Sequence, residues 1–304
     1  MAIRVGLTHT TRYRYDRLVS LQPHVVRLRP TPHCRTPIPS YSLKVLPEEH
    51  FLNWQQDPFG NYQARLAFTK PTRELQVEVD LVAEMVALNP FDFFVEDYAE
   101  KHPFRYEETL ARELKPYCET VAPGPKLAAL VEELGSRYAR PGRRSVDVLV
   151  DLNREIARRL RYDIRMEPGV FAPEETLDRG HGSCRDFAWL EVELLRRLGY
   201  AARFVSGYSI QLKPDVKPLD GGPAGVSEDI ADLHAWVEVY LPSGLWVGID
   251  PTNDILEGER HVQIGIGRDY HDVSPLRGVF KGAKRQQLSV MVTVSRTTGE
   301  MVTG

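Results

Sequence analysis

From Leu75 to Ala83 apolar residues recur at every second position. Leu75, Val77, Val79, Leu81 and Ala83 fall on one side, and Gln76, Glu78 and Asp80 on the other. A period of two gives one buried face only to an extended strand; a helix would scatter these residues around its circumference. The same period runs through Thr11 to Tyr15, where Arg12 and Arg14 oppose Tyr13 and Tyr15. Val25 to Arg29, Tyr41 to Leu46, Phe51 to Gln55 and Tyr62 to Phe68 also read as strands. Turn residues separate them, most clearly Asp57-Pro58-Phe59-Gly60-Asn61. Short antiparallel strands at this spacing predict a β-sandwich over residues 1–89.

After Asn89-Pro90 the period turns helical. Helices are expected over Asp92 to Lys101, Glu107 to Tyr117, Lys126 to Tyr138, Ser145 to Leu160 and Ser183 to Leu198. In the fourth, Leu149, Leu152, Ile156 and Leu160 make one apolar stripe, with Ser145 as the expected N-cap. Strands follow at Ala201 to Leu212, Leu233 to Leu241, Trp246 to Ile249, His261 to Ile266 and Gln287 to Val294. Helices first and an antiparallel sheet second is an α+β order. The expected division is therefore a sandwich over 1–89, a core over 90–270, and a tail over 271–304 whose last strand packs on the core or on the sandwich. The loop Lys213 to Ser227, rich in Pro, Gly and Asp, is a candidate lid.

Charge narrows the function classes. A net charge of −3 argues against a general nucleic-acid binder. Residues 1–46 are locally basic, but arginines two apart on a strand share a face, so a solvated sheet face is the simpler reading. No run is apolar and long enough to span a bilayer, and Met1 to Val5 alternates like a strand rather than a signal peptide. The expected compartment is the cytoplasm, with no membrane or nucleic-acid partner.

Three cysteines far apart do not make a disulfide framework. Cys34 lies in a Pro-rich turn and Cys118 ends an expected helix; both read as bystanders. Cys184 differs. In Gly182-Ser183-Cys184-Arg185-Asp186, Ser183 and Asp186 form a capping-box pattern that puts Cys184 in the first turn of a helix. A helix N-terminus favours a thiolate, and its free N–H groups can hold an oxyanion. The competing reading is a buried structural cysteine. Further on, His234 shares a strand face with Trp236, Glu238 and Tyr240, and Asp250 ends the next strand before Pro251. With a turn near Ser243 the two strands form a hairpin, and His234 and Asp250 can meet across it. A carboxylate beside an imidazole fixes its tautomer and stabilises its charged form.

These blocks resemble the transglutaminase-like superfamily of papain-like cysteine enzymes. Cys184-Arg185-Asp186-Phe187-Ala188 is similar to its nucleophile motif, His234-Ala235-Trp236-Val237-Glu238-Val239 to its histidine strand, and Asp250-Pro251-Thr252-Asn253 to its aspartate strand. The N-terminal part resembles the β domain that precedes the core in bacterial members, and Gly267 to Gly278 the segment that follows it. Trp189 departs from the pattern, standing where many relatives carry His. The resemblance implies Cys184 as nucleophile, His234 as general base and acid, and Asp250 as its orienter. It implies acyl transfer on an amide through a thioester, with hydrolysis of a peptide or protein substrate ahead of transamidation. A non-catalytic peptide-binding module is the second class of reading. A metal site from His181, Cys184, His234 and Asp250 is a third, but no further Cys or His cluster supports its H-x-x-C spacing, and no cofactor or metal is expected. Arg268, Asp269 and Asp272 read as an ion-pair network or turn caps.

Overall fold

The computed structural model describes residues 3–214, 225–242 and 245–297. Six strands come first: β1 (Ile3–Leu21), β2 (His24–Val26), β3 (Ser40–Leu46), β4 (His50–Gln56), β5 (Tyr62–Phe68) and β6 (Thr72–Met85). β6 lies between β1 and β3, its apolar side chains buried at every second position. β2, β5 and β4 form a second antiparallel sheet. One cluster joins them, with Val5, Leu7, Val77 and Val79 from the first sheet and Val26, Ala64 and Leu66 from the second. Each such burial contributes roughly 1.5–3 kcal/mol, which is why the alternation dictates two facing sheets. The basic residues turn outward and meet acids across the strands: Arg4 with Glu84 at 2.6 Å, Arg12 with Glu74 at 3.0 Å, Lys44 with Asp80 at 3.2 Å.

The helical part contains α1 (Glu108–Leu114), α2 (Pro125–Arg137), α3 (Ser145–Arg159), the short strand β7 (Arg161–Tyr162), α4 (Pro173–Arg179), β8 (His181–Gly182) and α5 (Cys184–Arg197). β9 (Ala202–Gln211), β10 (Ile230–Leu241), β11 (Leu245–Asp250), β12 (Ile255–Leu256) and β13 (His261–Gly267) then build an antiparallel sheet in the order β12-β11-β10-β9-β13. α5 lays Phe187, Leu190 and Leu194 on Ala235, Val237 and Val239 of β10. β14 (Leu276–Arg277) adds to the second sandwich sheet beside β2. β15 (Phe280–Lys281) and β16 (Gln286–Arg296) both pair with β1.

The structure corrects two expectations and adds one helix. Asp92 to Lys101 is not an α-helix; only Asp97–Ala99 forms a 3₁₀ turn. Distant partners take its backbone groups: Glu96 N–H bonds the Pro242 carbonyl at 2.6 Å, and the Glu100 carbonyl accepts Ser145 N–H at 2.8 Å. Ser145 is not an N-cap but the first residue of α3, and its hydroxyl donates to the Ala99 carbonyl at 2.6 Å. α4 is a helix that the sequence reading passed over. The candidate lid falls largely outside the described residues, as does the turn at Ser243.

Candidate active site

The start of α5 is fixed by its neighbours. α4 ends on Gly180 in the left-handed region, at φ 67°. β8 then leads through Ser183 to Cys184, the first residue of α5. The buried Asp186 carboxylate folds back and accepts the Ser183 N–H and hydroxyl, each at 2.8 Å. It also holds Arg165 at 2.8 Å and the Phe171 N–H at 2.7 Å. Gly182 is required here, because a Cβ would stand 2.8 Å from that of Asp186. Cys184 is thus held where the unpaired N–H groups and positive dipole end of the helix converge.

His234 meets Cys184 from β10. β11 pairs with β10 from Leu241↔Leu245 to Val237↔Ile249, so Asp250, the last residue of β11, reaches His234 on a diagonal. His234 Nε2 lies 2.8 Å from Asp250 Oδ2. The Cys184 side chain hydrogen-bonds the same ring, which leaves Nδ1 for the sulfur. Burial alone would lower the His234 pKa. The Asp250 carboxylate and the Cys184 side chain outweigh it and lift the value to about 10, so the ring is an imidazolium at neutral pH.

Asp250 is fully buried and surrounded by donors. Oδ1 accepts the Thr252 N–H at 2.9 Å and the Asn253 N–H at 3.3 Å. Oδ2 accepts Asn253 Nδ2 at 2.7 Å, His234, and also His261 Nε2 at 3.1 Å. Burial works against ionisation, but His234 and then His261 hold the carboxyl far below its usual range.

His261 was not singled out by the sequence. Its Nδ1 accepts the Gly258 N–H at 3.3 Å, so the proton resides on Nε2 and is donated to Asp250. Burial lowers its pKa, which keeps it a neutral donor. Its only signal in the sequence is a His at a strand start, and the partner becomes visible once β13 is placed in the sheet. Gly207 of β9 makes room: a Cβ there would lie 2.3 Å from the Trp236 ring, which packs edge-on against His261 at 4.9 Å.

Other candidates lie apart. His181 Nδ1 meets Asp163 at 2.6 Å rather than joining Cys184. Among the described residues, His234, Asp250 and His261 are gathered closely enough to hold a metal ion. The contacts between them are hydrogen bonds centred on Asp250 Oδ2. Arg268 pairs with Asp272 at 3.2 Å, and Asp269 caps the His271 N–H at 2.7 Å. Trp189 is buried against Tyr270, with ring centroids 5.4 Å apart. All three cysteines are free thiols, with Cys34 half-buried and Cys118 exposed.

A cysteine at a helix start, packed against an antiparallel sheet that supplies His and Asp, defines a papain-like fold. Comparison with known proteins gives the family. Residues 132–251 match the transglutaminase-like superfamily, and residues 5–84 the bacterial transglutaminase-like N-terminal region. The chain is thus a transglutaminase-like protein with the bacterial N-terminal region, built for cysteine-based catalysis. Similar over nearly the full length are uncharacterized proteins of Mycobacterium tuberculosis (strain ATCC 25618 / H37Rv) and Mycobacterium leprae (strain TN). The first is 29% identical, covering 98% of this chain and 94% of the relative. The second is 27% identical, covering 96% and 99%. A protein-glutamine gamma-glutamyltransferase of Pseudomonas aeruginosa is 31% identical over 137 residues, 43% of this chain but 19% of that protein. The fold is shared with a Cytophaga hutchinsonii protein solved as "a Putative Cysteine Protease": TM-score 0.70, 18% identity, covering 99% of this chain and 93% of that one.

Proposed function

We propose that this protein cleaves peptide or amide bonds by acyl transfer through a thioester on Cys184. One observation carries the reading: the buried His234 ring stands between the Cys184 side chain and the Asp250 carboxylate, hydrogen-bonded to both. A protonated imidazole beside a thiol favours the anionic sulfur. The sulfur attacks the amide carbonyl, and the N–H groups at the start of α5 receive the developing negative charge. His234 gives its Nδ1 proton to the leaving nitrogen and then deprotonates the water that hydrolyses the thioester. Asp250 keeps the ring oriented and compensates its charge throughout.

Transamidation is the second reading, favoured by the likeness to a protein-glutamine gamma-glutamyltransferase. It differs only in the group that meets the thioester. A peptide library, offered with and without a labelled primary amine, separates the two. Cleavage without amine uptake selects hydrolysis, and uptake selects transamidation. Cys184→Ala or His234→Ala is expected to abolish turnover, and Cys184→Ala alone to remove labelling by a thiol probe at that position. Full turnover in either variant would sink the mechanism.

A further inference from the structure

Behind the triad the structure gathers buried oxygens that have no partners. Glu191 lies seven residues after Cys184 on α5, two turns along almost the same face. It is fully buried, and neither of its carboxyl oxygens has a hydrogen-bond partner. The charges that reach it, those of Asp250 and Asp254, are both negative. Asn153 of α3 approaches Asp250 through the main chain. Its Nδ2 donates to the Asp250 carbonyl at 3.3 Å, and its Oδ1 is left buried and unpartnered. Two residues past Asp250, the Thr252 N–H is spent on the Asp250 carboxylate at 2.9 Å, while its hydroxyl oxygen is buried without a partner. α3 packs on both α5 and β11, so these side chains come from elements that meet around Asp250.

Burying an unpaired carboxyl group is costly. The Asn153 oxygen can only accept, and so can a carboxylate. One water has two protons to offer four such oxygens, whereas a cation satisfies them together. Every donor is oxygen, which selects a hard ion. Charge balance selects its valence. Asp254 is paired with Arg154 at 3.5 Å and Asp250 with His234 at 2.8 Å, so an ionised Glu191 brings one uncompensated charge. A doubly charged ion would leave a positive charge buried in surplus.

We propose that Glu191, Asn153 and Thr252 bind a monovalent alkali cation, which ties α5, α3 and the turn after β11 together behind Asp250. Burial and the two neighbouring charges push the Glu191 carboxyl well above the ordinary range, so the entering ion displaces a proton to solvent. The site is separate from the gathering of His234, Asp250 and His261, which turns on the Asp250 carboxylate.

The test follows the melting temperature of the full chain, dialysed into choline chloride and then titrated with NaCl or KCl at constant total chloride. Choline holds the ionic strength, so screening does not contribute. At about ten times its dissociation constant the alkali ion should raise the melting temperature by about 2–4 °C. Glu191→Leu, which puts an apolar group of similar size in place of the carboxyl, is expected to melt no lower than the parent in choline and to ignore both ions. Thr252→Val should move the response to higher ion concentration. Crystals grown in RbCl locate the ion, with an anomalous peak expected in contact with Glu191, Asn153 and Thr252. Equal melting of the parent in the three chlorides, a response that survives in Glu191→Leu, or an ordered water where rubidium should stand overturns the inference. A response to CaCl2 but to neither alkali chloride overturns the single charge, and the proposal with it. None of these readouts uses turnover, so the outcome is independent of the reaction proposed above.

Discussion

His261 touches neither the sulfur nor the space beside it, yet it supplies one of three hydrogen bonds on Asp250 Oδ2. It is a positioning residue. Its donated proton keeps the buried carboxylate ionised, and that charge in turn keeps His234 protonated. Loss of one hydrogen bond to a charged group costs about 1.5–3 kcal/mol. His261→Leu should therefore slow acyl transfer at least about tenfold, whereas His261→Gln, which retains an N–H donor, should recover most of the rate. Single-turnover thioester formation on an activated ester measures both. Equal rates in the two variants would reduce His261 to packing. The difference between residues that could be read in advance and those that could not is plain here. Cys184, His234 and Asp250 can be singled out as candidates because each sits in a local pattern of cap, alternation or strand end, and the structure brings their side chains together. His261 cannot, since its role depends on a contact made across the sheet.

At the level of elements, β6 follows its pattern closely, because one face is committed to a core. The apolar stripe of α5 is buried as its spacing predicts, but the helix is enclosed almost all round, Glu191 and Glu193 included. The reading failed where backbone groups find distant partners, as in Asp92 to Lys101. It also failed at α4, whose seven residues are too few to show a period and whose Glu174 is committed to the start of α2, accepting the Lys126 N–H at 2.9 Å. Close backbone approach was equally hidden. Gly207 in β9 lies opposite His234, and a Cβ there would also come 2.4 Å from the Val262 carbonyl. Neither that backbone atom nor the Trp236 ring can retreat easily. Gly207→Ala should cost about 1–3 kcal/mol by overpacking and lower the melting temperature in a thermal unfolding scan. A variant that melts with the parent would mean that the sheet opens there at no cost.

For the whole molecule, residues between the N-terminal strands hydrogen-bond to β13 of the core. Asn61 brackets Ile266 with bonds of 2.7 and 2.9 Å to its carbonyl and N–H, Thr31 donates to Gln263 at 3.0 Å, and Thr36 donates to the His261 carbonyl at 3.3 Å. Gln263 passes this on to Glu238 at 2.8 Å, and Glu238 is paired with Arg203. Glu257 is buried beside that network. Burial first, and the Glu238 charge second, push its carboxyl up to about 8, against the pull of Arg35 and Arg203. The folded protein therefore holds a proton that the unfolded chain releases above the ordinary value of 4.5. The associated stability is fully present below that value and is lost as pH rises towards about 8. Glu257→Gln should melt close to the parent near about pH 4 and above it near about pH 9, in thermal scans across that range. Parallel curves would place the titration elsewhere. A different consequence follows from β1, which lies between β6 and β16. One neighbour is translated soon after it, the other only when Gln286 to Arg296 has been made. For most of the chain's synthesis β1 keeps a bare edge, open to adventitious strand pairing, and the sheet built on it is finished only as the ribosome reaches those residues.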